Sequence, residues 1–285
     1  MARKRRRGQP EPGRAKELVG SWPVDQGEAR IEHDPYRPGG RLLILNGTLS
    51  SYIDPDPLIV EFEYMEWMAA VLEELYEPDR PQLRLLHLGG AGCTMARWAA
   101  ARFVNAHNLV IEYDAKLAAL VREHLDLPSA PAVRIRVADA ATELAKVSPG
   151  SRDVIIRDIF DDGQTPELFC TADYARTAQR VLAGKGVYLV NCGDRPGLRH
   201  ARAEAATLTS VFKHVYAIAD AAMFKGRRIG NIVFACSDAD ALGNLDVHHL
   251  RRQLLLTAQN IQVWQTSKVR QLGGTPAQLP ARELD

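Results

Sequence analysis

The chain has 285 residues, 46% of them hydrophobic, with 36 lysines and arginines against 35 acidic residues and a formal net charge of +1. That length and apolar content suit one large α/β domain with a small appendage and exclude wholesale disorder, and the balanced charge gives no indication of a polyanion-binding surface. No apolar run approaches the roughly 20 residues of a membrane span, so a cytoplasmic protein with no membrane or nucleic-acid partner is expected.

The chain opens on the basic run Arg3, Lys4, Arg5, Arg6, Arg7. Such a run can be a nucleic-acid arm or the charged start of a signal peptide, but Gly8 to Val24 is rich in Pro, Gly and charge instead of apolar residues. Residues 1–28 are therefore expected to form a solvated, disordered basic tail. Strand-like runs follow at Arg30 to His33, Arg41 to Leu45 and Thr48 to Ile53, with Asn46-Gly47 as a tight-turn signal, and predict a small N-terminal β-hairpin subdomain over residues 29–56. Behind Pro55 and Pro57, residues Ile59, Phe62, Met65, Met68, Leu72 and Leu75 recur at helical spacing and predict an amphipathic helix ending before Pro78.

From Gln82 onward apolar strand candidates alternate with helical stretches. The strands are expected at Leu83 to Leu88, Leu109 to Tyr113, Val133 to Val137, Asp153 to Ile156, Gly186 to Asn191, Val215 to Ala219 and Ile232 to Cys236. Helical stretches at Cys93 to Arg102, Ala115 to Leu125, Ala141 to Val147 and Thr171 to Leu182 separate the early ones. Short connections and this alternation specify an α/β fold, a mostly parallel sheet covered on both faces by helices. The count of seven strands matches the Rossmann-like methyltransferase fold, expected over residues 57–262. A helix at Val247 to Leu256 and a polar C-terminal tail over residues 263–285 complete the chain. Cys93, Cys170, Cys192 and Cys236 form no Cys-x-x-Cys pair, and the histidines show no ligand spacing, so free thiols and no metal site are expected.

Leu85-Leu86-His87-Leu88 runs into Gly89-Gly90-Ala91-Gly92 and then into a helix with Met95, Trp98 and Ala99 on its apolar face. Small residues at a strand-to-helix turn let the backbone approach a nucleotide-type ligand, although a glycine cluster is by itself compatible with a plain tight turn. Glu112, about 20 residues on at the end of the next strand, has the spacing of an acidic ribose ligand; an ordinary surface acid is the alternative. Asp139 and Ala140 follow the third strand, where a carboxylate can accept from the adenine amine, cap the next helix, or do both. The fourth strand ends in Arg157-Asp158-Ile159-Phe160-Asp161-Asp162-Gly163, an acidic mouth at a strand carboxyl end where such sheets bind ligands.

Taken together these segments resemble the spermidine synthase (polyamine aminopropyltransferase) family over roughly Arg30 to Cys236. Gly89 to Cys93 is similar to its Gly-Gly-Gly-Asp-Gly turn, Glu112 with Asp114 to its Glu before Asp, and Asp139 with Ala140 to its Asp-Gly. Asp158 with Asp161 resembles its Asp-Ser-Ser-Asp-Pro, Leu45-Asn46-Gly47 its Leu-Asp-Gly, and Glu61-Phe62-Glu63-Tyr64-Met65-Glu66 its Glu-Phe-x-Tyr-His-Glu. The departures are Gly92 for the aspartate that holds the donor's amino group, Met65 for histidine and Asp162 for proline. The family's Tyr-Gln pair before Leu-Asp-Gly is not visible, and Asp220-Ala221-Ala222-Met223-Phe224 stands where the family shows Pro-Thr-Tyr.

The resemblance implies a transferase that moves an aminopropyl group from decarboxylated S-adenosylmethionine to putrescine or another polyamine, with no permanently bound cofactor. It implies Asp158 as the catalytic residue, Gly89, Gly90, Gly92, Glu112, Asp139 and Ala140 around the nucleoside, and Asp161, Tyr64 and Glu66 at the amine substrate. A homodimer is implied as well. Two other readings stay open: a methyltransferase using S-adenosylmethionine itself, whose donor carboxylate suits Gly92 better than an aspartate, and a non-catalytic nucleoside-binding relative.

Overall fold

The computed structural model describes residues 19–161, 163–255 and 260–273. The basic run at Arg3 to Arg7, Asp162 and residues 274–285 therefore lie outside the described residues.

Four antiparallel strands come first: β1 (Gly20–Val24), β2 (Gly27–His33), β3 (Arg41–Leu45) and β4 (Thr48–Ile53), in the order β1-β2-β3-β4. The expectation of a disordered tail as far as residue 28 is thus corrected, because β1 pairs with β2 from Gly20↔Ile31 to Val24↔Gly27. Pro23 donates no amide, which an edge strand tolerates. The tip of this hairpin is tied down from outside: the Asp25 carboxylate accepts from the amides of Ala115 and Lys116, and the Gln26 amide donates to Asp114.

Helix α1 (Glu63–Leu75) leads into the main sheet, where β5 (Leu83–Leu88), α2 (Thr94–Arg102), β6 (Ala106–Glu112), α3 (Ala115–His124), β7 (Val133–Val137), α4 (Ala140–Lys146) and β8 (Arg152–Arg157) alternate. Then come α5 (Ala172–Val181), β9 (Leu182–Asp194), α6 (Arg199–Val211), β10 (His214–Asp220), α7 (Ala221–Phe224), β11 (Gly230–Ser237), α8 (Asp240–Gly243), α9 (Val247–Leu254), β12 (Ile261–Trp264) and α10 (Thr266–Gly273). Local chemistry starts many of these helices: Asp114, Asp139, Thr171, Asp220 and Asp246 each accept from backbone amides of the turn they open.

Among the described residues the main sheet has eight strands in the order β12-β10-β11-β9-β8-β5-β6-β7. Strands β5 to β9 pair in parallel, and β10, β11 and β12 join antiparallel. The architecture is the expected Rossmann-like methyltransferase type, a sheet with helices on both faces beside a small N-terminal antiparallel sheet. It is widened by β12, and α10 follows within the stretch expected as a polar C-terminal tail from residue 263. The central strands are apolar on both faces, as a doubly covered parallel sheet requires.

Two cores follow. The larger packs α1, α5 and α6 on the sheet around Met68, Leu72, Ile155, Leu189, Ala205 and Phe234. The smaller joins Ala29, Ile31 and Leu43 of the N-terminal sheet to Ala96, Val110 and Val121. This second core seats β4 on the start of α2, which decides the shape of the site.

Candidate active site

The turn after β5 is folded as a close-approach loop. Gly89 has φ +82°, its amide donates to the Ile111 carbonyl, and a Cβ there would stand 2.3 Å from the carbonyl oxygen of Asp158. A Cβ at Gly90 would stand 2.3 Å from Val110 Cγ1. Both positions therefore need glycine so that β5, β6 and β8 can end side by side. Cys93, with φ +58°, precedes α2, whose amino end is fastened to β4: the Gly92 amide donates to Ser51 Oγ (3.0 Å), Thr94 Oγ1 to the Tyr52 carbonyl (2.8 Å), and Arg97 Nη2 to the Asp54 carbonyl (3.1 Å).

Glu112 closes the same turn from β6. Its Oε2 accepts from the amides of Gly90 (3.2 Å) and Ala91 (3.1 Å), and its Oε1 accepts from Asp114 (3.1 Å). The spacing between glycine turn and acid thus brings the two together; Oε2 is taken up by its two amides, and Oε1 keeps a lone pair for a ligand hydroxyl. Beyond it the Tyr113 ring is largely exposed. Asp139 caps α4 by accepting from the Thr142 amide (2.8 Å), with Ala140 buried behind it, at the neighbouring strand end.

Asp158 follows β8 in the middle of this row. Its Oδ2 accepts from the Tyr64 hydroxyl of α1 (2.9 Å), and its Oδ1 accepts from Asn191 Nδ2 of β9 (2.8 Å). Asn191 in turn accepts from Asn231 Nδ2 of β11 (2.9 Å), so a polar ladder crosses three adjacent strands. Burial raises the Asp158 carboxyl above its ordinary value, against the opposing hydrogen bonds from Asn191 and Tyr64 and the nearby Arg157 charge. Tyr64 is pushed well above the usual phenol range by burial and by the Asp158 charge, so it remains a donor.

Asp161 stands exposed on the rim, in a tight turn closed by reciprocal backbone bonds with Gln164. Phe160 lies over the strand beside it, so that a Cβ at Gly193 would meet its ring at 3.1 Å. Glu66 does not join this group. Two residues along a helix is about 200° around its axis, and Glu66 faces an open cleft of about 490 Å³ lined by Ile59, Val60, Ala69, Trp98 and Gln253. Asn191 and Asn231 went unnoticed in the sequence because an asparagine in an apolar strand carries no motif. Their signal was position, at the end of β9 beside β8 and at the start of an antiparallel neighbour.

Among the described residues no group of three or more His, Cys, Asp or Glu side chains could hold a metal ion, and no helix is long and apolar enough to cross a membrane.

No family model matches the chain. A solved structure of a probable spermidine synthase from Corynebacterium glutamicum superposes with a TM-score of 0.86 at 37% identity, covering 95% of this chain and all of that one. A polyamine aminopropyltransferase from Chromobacterium violaceum is 28% identical over 145 residues, half of this chain and 53% of that protein. The match to this curated relative thus spans about half its length. A spermidine synthase solved with the transition-state analogue AdoDATO shares the fold at a TM-score of 0.64 and 15% identity, over 90% of this chain and 87% of that one.

Proposed function

The chain belongs to the spermidine synthase family, and on that premise we propose that it transfers an aminopropyl group from decarboxylated S-adenosylmethionine to an amine acceptor. The observation that carries the proposal is Asp158, held at a strand end between Tyr64 and Asn191 beside a glycine turn closed by Glu112. The nucleoside lies along Gly89 to Gly92, with Glu112 on the ribose and Asp139 at the adenine edge.

A primary amine has a pKa near 10 and arrives as an ammonium. Asp158 accepts a proton from it, since its fixed carboxylate keeps one lone pair on each oxygen beyond those used by Tyr64 and Asn191. The freed nitrogen pair attacks the methylene carbon next to the sulfonium. A C–N bond forms, the C–S bond breaks, and its electron pair stays on sulfur, releasing neutral methylthioadenosine. The ammonium, the sulfonium and the Asp158 carboxylate become one product ammonium, a neutral thioether and a neutral acid, so a site shielded from water favours the step. Asp161, on the rim, attracts the acceptor's distal cation.

A second reading rests on Gly92. A Cβ there would stand 2.7 Å from Ser51 Cβ, so β4 fills the place where a carboxylate would pair with a decarboxylated donor's ammonium. This favours intact S-adenosylmethionine and methyl transfer. Chromatography of products from each donor with putrescine separates the two. Methylthioadenosine is expected, with kcat falling about 1,000-fold in Asp158→Asn. S-adenosylhomocysteine in its place overturns aminopropyl transfer.

A further inference from the structure

Directly behind Asp158 the structure buries an ion pair that the reaction above does not use. Arg157, the last residue of β8, is 1% exposed, and Glu204 of α6 is 2% exposed. Arg157 Nη2 donates to Glu204 Oε1 at 2.8 Å, and Nη1 donates to the carbonyl oxygen of Phe169 at 2.5 Å. One guanidinium therefore joins the end of β8, the short 3₁₀ turn Glu167–Cys170 and α6. Burial alone disfavours the cation, and the Glu204 carboxylate reverses that, so the guanidinium stays charged.

Such a pair is a poor device for stability alone. Desolvating two charges costs as much as their attraction returns, and apolar residues of equal volume often do as well or better. Here the account is less favourable still, because Arg157 Nε, Glu204 Oε2 and the hydroxyls of Tyr174 and Tyr188 are buried with no hydrogen-bond partner among the described residues. What the pair does hold is geometry. Successive residues of a strand point to opposite faces, so Arg157 is anchored in the core while Asp158 faces the site. Its second bond, to Phe169, fixes the far end of the same connection.

We propose that Arg157 and Glu204 are positioning residues, clamping both ends of the connection from Asp158 to Phe169 so that the Asp158 carboxylate stays aligned on the acceptor nitrogen. The inference rests on the proposed reaction for the role of Asp158, but the clamp has a readout of its own.

The test compares the wild-type protein with Arg157→Met/Glu204→Met and with Arg157→Lys, which keeps the charge but, as a point donor, does not span both acceptors. In the double variant, thermal stability is expected to return to the wild-type level or above it, while kcat for methylthioadenosine formation stays about 100-fold down. KM for the donor should stay within about threefold of wild type, the split expected when only the transition state is misaligned. Arg157→Lys should fold and lose at least about tenfold in kcat, which keeps the test decisive if the double variant does not fold. Amide hydrogen exchange should quicken at Asp158 to Phe169 in both variants, whatever the turnover. A double variant or an Arg157→Lys protein with wild-type kcat and unchanged exchange overturns the clamp and leaves the reaction standing. A wild-type protein without turnover whose variants still show faster exchange there overturns the reaction and leaves the clamp.

Discussion

His87 sits in the middle of β5 at 3% exposure, and its Nε2 donates to Asn108 Oδ1 at 2.9 Å while Asn108 Nδ2 donates to the Ala132 carbonyl. Burial pushes the imidazole down from its ordinary 6.5 to about 4, so the folded ring is neutral where the unfolded one begins to protonate. A depressed histidine costs stability as pH falls: its contribution is intact above 6.5 and is lost progressively between 6.5 and about 4, up to roughly 3 kcal/mol in all. His87→Gln, which keeps a donor for Asn108, should flatten that acid limb in denaturant titrations run between pH 7 and 4. An unchanged limb would place the acid sensitivity elsewhere. At this scale much of the site could be read from residue order, because a glycine turn and an acid about 20 residues later sit on adjacent strands in this fold. The partners of Asp158 could not. Tyr64 lies 94 residues before it and Asn191 33 after it, and only the sheet brings the three together.

The elements decide what the glycine turn can hold. Strand β4 lies against the start of α2, and at Gly92 the clearance to Ser51 is smaller than any side chain needs. Gly92→Asp should therefore destabilise the protein by about 1–3 kcal/mol through overpacking. Gly92→Asp/Ser51→Gly should recover that loss and, by restoring a carboxylate beside the donor's ammonium, bind decarboxylated S-adenosylmethionine about tenfold tighter than the wild type in calorimetric titration. Recovery of folding without tighter binding would show that position 92 does not face the donor's amine. Element boundaries were largely legible here: β3, β4, β5 and β7 begin and end where alternation or apolar runs place them. Strand β1 was not, since Pro23 and the flanking glycines read as tail until β2 supplies a partner. Glu66 stands apart from Tyr64 for a rotational reason: the two are two residues apart on α1, so they serve different faces of the helix.

For the whole molecule, alternation specified the sheet and its helices, but neither its order nor its width. Strand β12 is four residues long, polar at Gln262, and contributes little pattern of its own. It is held by pairing with β10 from Ala217↔Trp264 to Asp220↔Ile261, by Phe224 stacked on Trp264 at 3.9 Å, and by the Lys268 ammonium over the same ring. Such tertiary support is invisible to a local reading. The opposite margin of the sheet is β7, whose Arg134 and Arg136 are exposed. A strand margin is a template for another chain unless charge or cover blunts it. Charge serves on the β7 side. On the other, Val215 to Ala219 is buried throughout, β12 pairs with the outer side of Ala217 to Asp220, and Thr266 accepts from the Val215 amide. A protein ending at residue 260 should therefore fold its nucleoside half and yet gain a concentration-dependent pairing of one bared β10 edge with another, a step that sedimentation shows in the shortened chain and not in the full one. The last described strand is thus a guard against wrong pairing: it occupies the edge on which a second copy would otherwise dock.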